Sequence, residues 1–253
     1  MGAAMNEYHS ASELKDRARE FLFGKYTPFA GVVLILIFSY ILSDNLFSLF
    51  FSNLHSVFSL QDQFILSESI WFLLLLFQAV LITNLLPGLC LFCLKFLKHA
   101  APSMADLFFA YKNNPQRNIL FSLLISIPRL LFLEPFQIYF NFYQSTLDSN
   151  YLIFSVLLLL LGLLLSIPID LFCAVSLFLL PDFPRYSVPK LFAAAMKLLN
   201  KHWKKYLYLE LSFLPVILLC ILSLGIGLIW GIPYIAVTCT FLYLEVMKPG
   251  QAS

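Results

Sequence analysis

The sequence predicts an all-α fold, a polytopic six-helix transmembrane bundle, and three observations carry that expectation. Of the 253 residues, 60% are hydrophobic and 12% charged, with 27 Phe, whereas a soluble domain carries roughly 25% charged residues and 45–50% apolar ones. Such a chain cannot cover its surface with hydrated side chains, which excludes a soluble enzyme. Six apolar stretches reach the length of about 20 residues that a bilayer crossing needs. The basic residues gather in alternate connections between those stretches. A net charge of +2 is too small for a nucleic-acid binder.

The spans are expected near 27–52, 70–97, 118–134, 151–180, 206–224 and 226–247. The fourth is long for one crossing, and Pro168 offers a kink within it. The fifth and sixth form one apolar run over 206–247, too long for a single passage. Ser223, Gly225 and Gly227 supply a tight turn that splits it into a hairpin, and Gly227 with Gly231 makes a small-xxx-small face for close helix packing. Residues 1–4 precede Met5 and read as an appended segment outside the fold, and no cleavable signal is expected.

Charge sets the orientation. Lys15, Arg17, Arg19 and Lys25 precede the first span; Lys95, Lys98, Lys112 and Arg117 lie between the second and third. Arg185, Lys190, Lys197, Lys201, Lys204 and Lys205 lie between the fourth and fifth, and Lys248 follows the sixth. The opposite connections carry Asp44, Asp62, Glu68, Glu134 and Asp148 with no Lys or Arg. Both termini are therefore expected to be cytoplasmic.

Three segments begin alike: Ser10 to Leu14, Ser103 to Leu107 and Ser187 to Leu191. Each places a Ser three residues before a charged side chain. That is a capping box in the first (Glu13), a near one in the second (Asp106) and a box broken by Lys190 in the third. Each then leads through an amphipathic helix into a hairpin whose second span carries a Pro, at Pro87, Pro168 or Pro233. The expected organisation is a single membrane domain built from three parallel repeats of a cytoplasmic amphipathic helix plus a transmembrane hairpin. The repeats cover about 10–97, 103–180 and 187–247.

In the first amphipathic helix Leu14, Ala18, Phe21 and Leu22 oppose Lys15, Asp16, Arg19 and Glu20; in the third, Leu191, Ala195 and Leu198 oppose Lys190, Lys197, Lys201 and Lys204. Such helices can sense lipid or dock a partner, or they can simply anchor each hairpin at the inner interface. Phe47, Phe50, Phe51 and Phe58, and then Phe136, Tyr139, Phe140, Phe142 and Tyr143, read as interfacial aromatic belts.

Four charged residues fall within spans, where charge is expensive and marks a site by default. Arg129 follows Pro128 in the third span, and Asp170 follows Pro168 by two in the fourth. Glu210 and Glu245 stand toward the cytoplasmic ends of the fifth and sixth. In the repeat register, Asp170 corresponds to Leu89 and Ile235, and Arg129 to Val216; the scaffold itself does not require either charge. Arg129 and Asp170 either line a polar site for a head group or small ion, or lock two adjacent spans as an ion pair. Lys205 and Lys248 lie close enough in sequence to neutralise Glu210 and Glu245. The five Cys all lie in apolar stretches, where a thiol acts as a small hydrophobe, and the four His make no metal spacing. No metal, cofactor or catalytic constellation is expected.

The opening Ser12-Glu13-Leu14-Lys15, with Ala18-Arg19, Leu22 and Gly24-Lys25-Tyr26, and the ending from Pro233-Tyr234 through Phe241, Tyr243 and Glu245 resemble a bacterial membrane-protein family catalogued as domain of unknown function 975. The resemblance implies a protein of the bacterial cytoplasmic membrane and brings no established activity. The function expected is non-enzymatic: binding or translocating a lipid or other amphiphile, with membrane lipids as partners and no nucleic acid. The alternative is a scaffold that docks a protein partner at the cytoplasmic face.

Overall fold

A computed structural model describes residues 10–57 and 64–247; Phe58, Asp62 and Lys248, named above, lie outside them. Ser10 opens α1 (Ala11–Leu22): its hydroxyl accepts from the Glu13 N–H at 3.2 Å, and the Glu13 carboxylate accepts from the Ser10 N–H at 3.0 Å. Two of the helix's orphan donors are satisfied this way. Leu14, Ala18 and Leu22 are buried along one face of α1, which packs on the last helix. Gly24, at φ +73°, then turns the chain into α2 (Tyr26–Val57).

The first hairpin is completed by α3 (Phe64–Thr83) and α4 (Leu86–Leu97). A second capping box, of Ser103 and Asp106, opens a 3₁₀ turn (Met104–Phe108) that passes into the single-turn α5 (Phe109–Lys112). The middle hairpin is α6 (Pro115–Thr146) and α7 (Ser149–Asp182). The last comprises α8 (Val188–Leu211), α9 (Leu214–Leu222) and α10 (Leu228–Val246). Among the described residues, six stretches are long and apolar enough to cross a membrane: Tyr26–Leu54, Leu66–Leu97, Pro115–Thr146, Ser149–Asp182, Val188–Leu222 and Leu228–Val246. This is a multi-pass membrane protein.

Several boundaries differ from the sequence reading. The third span continues to Thr146 rather than 134, so the loop expected over 135–150 is helical except at Leu147 and Asp148. The aromatic residues there recur at helical spacing: Phe136 stacks on Phe140 one turn away, and Tyr139 and Phe142 meet Tyr151 of α7. These rings pack the α6–α7 hairpin against itself. Between the second and third spans, the expected amphipathic helix shrinks to the 3₁₀ turn and α5, because Asn114 (φ +51°) precedes Pro115 and redirects the chain. Between the fourth and fifth, no break separates the basic segment from the span. Helix α8 runs unbroken to Leu211, and the interruption comes at Ser212–Phe213, ahead of Pro215. Helix α7 passes through Pro168 without interruption.

Burial is concentrated at the end of the bundle where α1 lies, here called the basic end. Phe29, Val32 and Val33 of α2, Leu89 to Leu94 of α4, Leu171 to Leu180 of α7 and Val237 to Val246 of α10 supply its core. Toward the opposite end, Leu157, Leu160, Leu161 and Leu164 of α7 and Leu34, Phe38 and Leu42 of α2 face outward, onto acyl chains in a bilayer. Lipid tails are as apolar as these side chains, so association in that region depends on close contact and polar pairing rather than on escape from water.

Both helix interruptions are covered from a neighbouring element. At the α3/α4 break the Tyr111 hydroxyl donates to the Leu81 carbonyl at 2.6 Å; burial pushes this phenol's pKa up, keeping it a donor. At the α8/α9 break Lys15 of α1 donates to the Ser212 carbonyl at 2.5 Å and sits 4.9 Å above the Phe213 ring. Partial burial lowers the Lys15 pKa from the ordinary lysine value. The carbonyls that a break leaves open are expensive in an apolar setting, so α1 serves as a clasp on the third hairpin. Lys15→Met is expected to cost about 1–3 kcal/mol, read as faster hydrogen exchange across residues 11–22. Unchanged protection would mean that the apolar face holds α1 by itself.

Candidate functional site

The sequence nominated Arg129, Asp170, Glu210 and Glu245. The structure brings the first three together and sets the fourth apart. Arg129 projects from α6 and Asp170 from α7, with Nη2 and Oδ1 3.6 Å apart. That separation makes an ion pair but exceeds hydrogen-bond length. The pair is not sealed in the bundle: the Arg129 side chain is 51% exposed and that of Asp170 32%. Glu210, near the end of α8, lies within electrostatic reach of both. It makes no hydrogen bond or ion pair of its own among the described residues. Cys173, one turn beyond Asp170, is near all three charges, and Cys239 of α10 is near Glu210.

Arg129 of α6 and Asp170 of α7 thus form a partly open ion pair, and the Glu210 carboxyl of α8 stands within the field of both charges. With all three ionised the formal charge is −1, and the group the cluster lacks is a cation or a proton. In a low-dielectric surrounding such an imbalance costs far more than it would in water.

The profile of a family described as "Protein of unknown function (DUF975)" matches residues 5–249 of the chain. The chain belongs to the DUF975 family. No curated protein and no solved structure matches it significantly. The family supplies no catalytic residue to transfer, so any site in this DUF975 protein rests on its own geometry.

Glu245 has a different setting from the other three. Its carboxylate accepts from Lys205 of α8 at 2.6 Å, and the two side chains are 8% and 19% exposed. Lys205 thus serves Glu245 and not Glu210, although Glu210 is its nearer neighbour in sequence. Around this pair the basic end of the DUF975 protein is stitched by polar groups that the sequence reading passed over. The Tyr243 hydroxyl donates to Asp182 at 2.7 Å, and Lys98 reaches the same carboxylate at 3.8 Å. Lys95 pairs with Asp106 at 2.7 Å.

Asn118, buried in α6, donates to the carbonyls of Ala110 and Asn113 at 2.8 and 2.6 Å; Ser122 donates to the Asn84 side chain at 3.0 Å. A signal for these was present in the sequence: Asn84, Asn118 and Ser122 are polar residues inside apolar runs, where each must find a partner. Gly227 and Gly231 both face Cys220 of α9, so close that a Cβ on Gly231 would stand 2.5 Å from the Cys220 sulfur.

Proposed function

We propose that this DUF975 protein is a non-enzymatic membrane protein that binds an amphiphile at the Arg129–Asp170–Glu210 cluster. The bound head group is one that carries an amine or another hydrogen-bond-donating cation. The observation that carries the reading is the Glu210 carboxyl, which has no hydrogen-bond or ion-pair partner among the described residues and stands in the field of a half-exposed ion pair. A buried structural lock would enclose and balance its charges, whereas a head-group site keeps one face open and one charge unmatched. Translocation of the same amphiphile is the further step of this reading. The three Pro-bearing hairpins, the capping boxes at Ser10 and Ser103 and the gathering of Lys and Arg at one end support a three-unit organisation in a bacterial inner membrane with both termini cytoplasmic. A second reading, docking of a protein partner, is favoured by the exposed face of α8, where Lys190, Lys197, Lys204 and Trp203 stand outward.

The test uses full-length protein in nanodiscs containing phosphatidylethanolamine and phosphatidylcholine, with bound lipid counted by native mass spectrometry. Glu210→Gln is expected to lower retention of the amine lipid about tenfold, the worth of one charged hydrogen bond, while thermal unfolding stays unchanged. Arg129→Gln and Asp170→Asn should each disturb retention as well. If the two single changes only destabilise, the double change restores stability and lipid retention never moves, the pair is a lock and the site reading fails.

A further inference from the structure

The connection between α7 and α8 and the start of α6 enclose an open groove of about 480 Å³ that neither the family nor the intramembrane cluster accounts for. Apolar Leu120, Pro184 and Val188 line it together with Arg117, Arg185, Gln116 and Ser187; no Asp or Glu lines it. Arg117 holds the groove's shape. Its guanidinium donates to the carbonyls of Pro184 (2.6 Å), Tyr186 (3.2 Å), Phe183 (3.3 Å) and Leu180 (3.3 Å) and to the Asn118 side chain (3.1 Å). These acceptors fix the connection to α6 but are neutral, so the Arg117 charge is solvated without being balanced by a carboxylate among the described residues.

Arg185, Gln116 and Ser187 make no side-chain hydrogen bond or ion pair among the described residues. The nearest acid in the chain, Asp182, is already engaged by Tyr243 and Lys98. The contrast with the other two units is chemical. The Ser10 and Ser103 hydroxyls are each tied into a capping box by Glu13 and Asp106. The Ser187 hydroxyl is uncapped, and Lys190 stands where the carboxylate would be. From the groove an apolar strip leads along α6 toward the membrane interior: Leu120, Leu124, Ile127 and Leu131, all exposed and spaced along one helix face.

We propose that this groove seats an anionic membrane lipid, with its phosphate held by Arg185, Ser187 and Gln116 in the field of Arg117 and one acyl chain laid along the α6 strip. Charge complementarity selects the phosphate: two arginines, an open hydroxyl and no acid make a site that lacks only an anion. The apolar strip selects a lipid over a soluble phosphate, because it gives the chain a continuous path from the head group into the bilayer.

The test reconstitutes full-length protein in phosphatidylcholine nanodiscs doped with phosphatidylglycerol and counts retained phosphatidylglycerol by native mass spectrometry. Arg185→Gln is expected to reduce retention about tenfold and Ser187→Ala by a smaller factor. Arg17→Gln, an equal loss of charge on the exposed surface of α1 outside the groove, should leave retention unchanged. Equal losses for Arg185→Gln and Arg17→Gln would show diffuse attraction to an anionic surface and overturn the proposal. Inorganic phosphate that competes the lipid off the wild-type protein at comparable concentration would assign the groove to a soluble anion and overturn it too. Ser187→Ala removes a single exposed oxygen and keeps the test decisive if Arg185→Gln unfolds the connection.

Discussion

Lys205→Met is expected to destabilise the protein by about 3–5 kcal/mol, because it removes the ammonium 2.6 Å from a carboxylate that is itself 8% exposed. Glu245 is carried by the last turn of α10 and Lys205 by α8, so the change also loosens the third hairpin at the basic end. Desolvating two charges costs about as much as their attraction returns. The double variant Lys205→Met/Glu245→Leu is therefore expected to recover most of the loss, and thermal unfolding of the wild type, both singles and the double closes the cycle. A single variant that loses no more than about 1 kcal/mol would place the pair with ordinary surface ion pairs.

The second large effect comes from a residue with no charge at all. Gly88→Ala is expected to cost about 3 kcal/mol or more, toward the top of the range for overpacking. A Cβ there would stand 2.1 Å from the Leu107 carbonyl oxygen and 2.5 Å from its carbon atoms. Leu107 cannot retreat cheaply. It is fully buried, and its turn is held by the Ser103–Asp106 box and by Lys95 on α4 itself. Backbone meeting backbone is the tightest contact two elements can make, and in lipid such contact is the main source of association energy. Gly31→Ala is the matched control: its Cβ would meet only the flexible Met104 terminus at 2.8 Å, and a cost below about 1 kcal/mol is expected. Equal melting temperatures for the two variants in one detergent would contradict the assignment.

The break between the last two spans was legible at Ser223, Gly225 and Gly227, and the structure turns there, with Gly225 at φ +86°. The capping boxes at Ser10 and Ser103 were legible because each involves groups three residues apart. The company of Glu210 was not. Lys205 is its obvious sequence neighbour, but five residues on a helix amount to about 140° of rotation. Lys205 consequently faces Glu245 of α10, and Glu210 faces the side where α6 and α7 carry Arg129 and Asp170. The part played by Lys15 was equally hidden: read as one of several basic residues on an interfacial helix, it reaches 197 positions along the chain to the Ser212 carbonyl.

Membrane insertion, the apolar crossings and the presence of charged residues within them follow from the sequence alone. Each depends on the transfer cost of residues taken one at a time, or in runs of about 20, between water and hydrocarbon. Tertiary structure alone decided which carboxylate meets which cation, which glycine is pressed against another backbone, and which side chains cover the carbonyls opened at the two helix breaks. Those outcomes depend on the angles at which helices cross and on the faces they turn to one another. Many sequences with the same hydropathy would insert in the same way and pair differently.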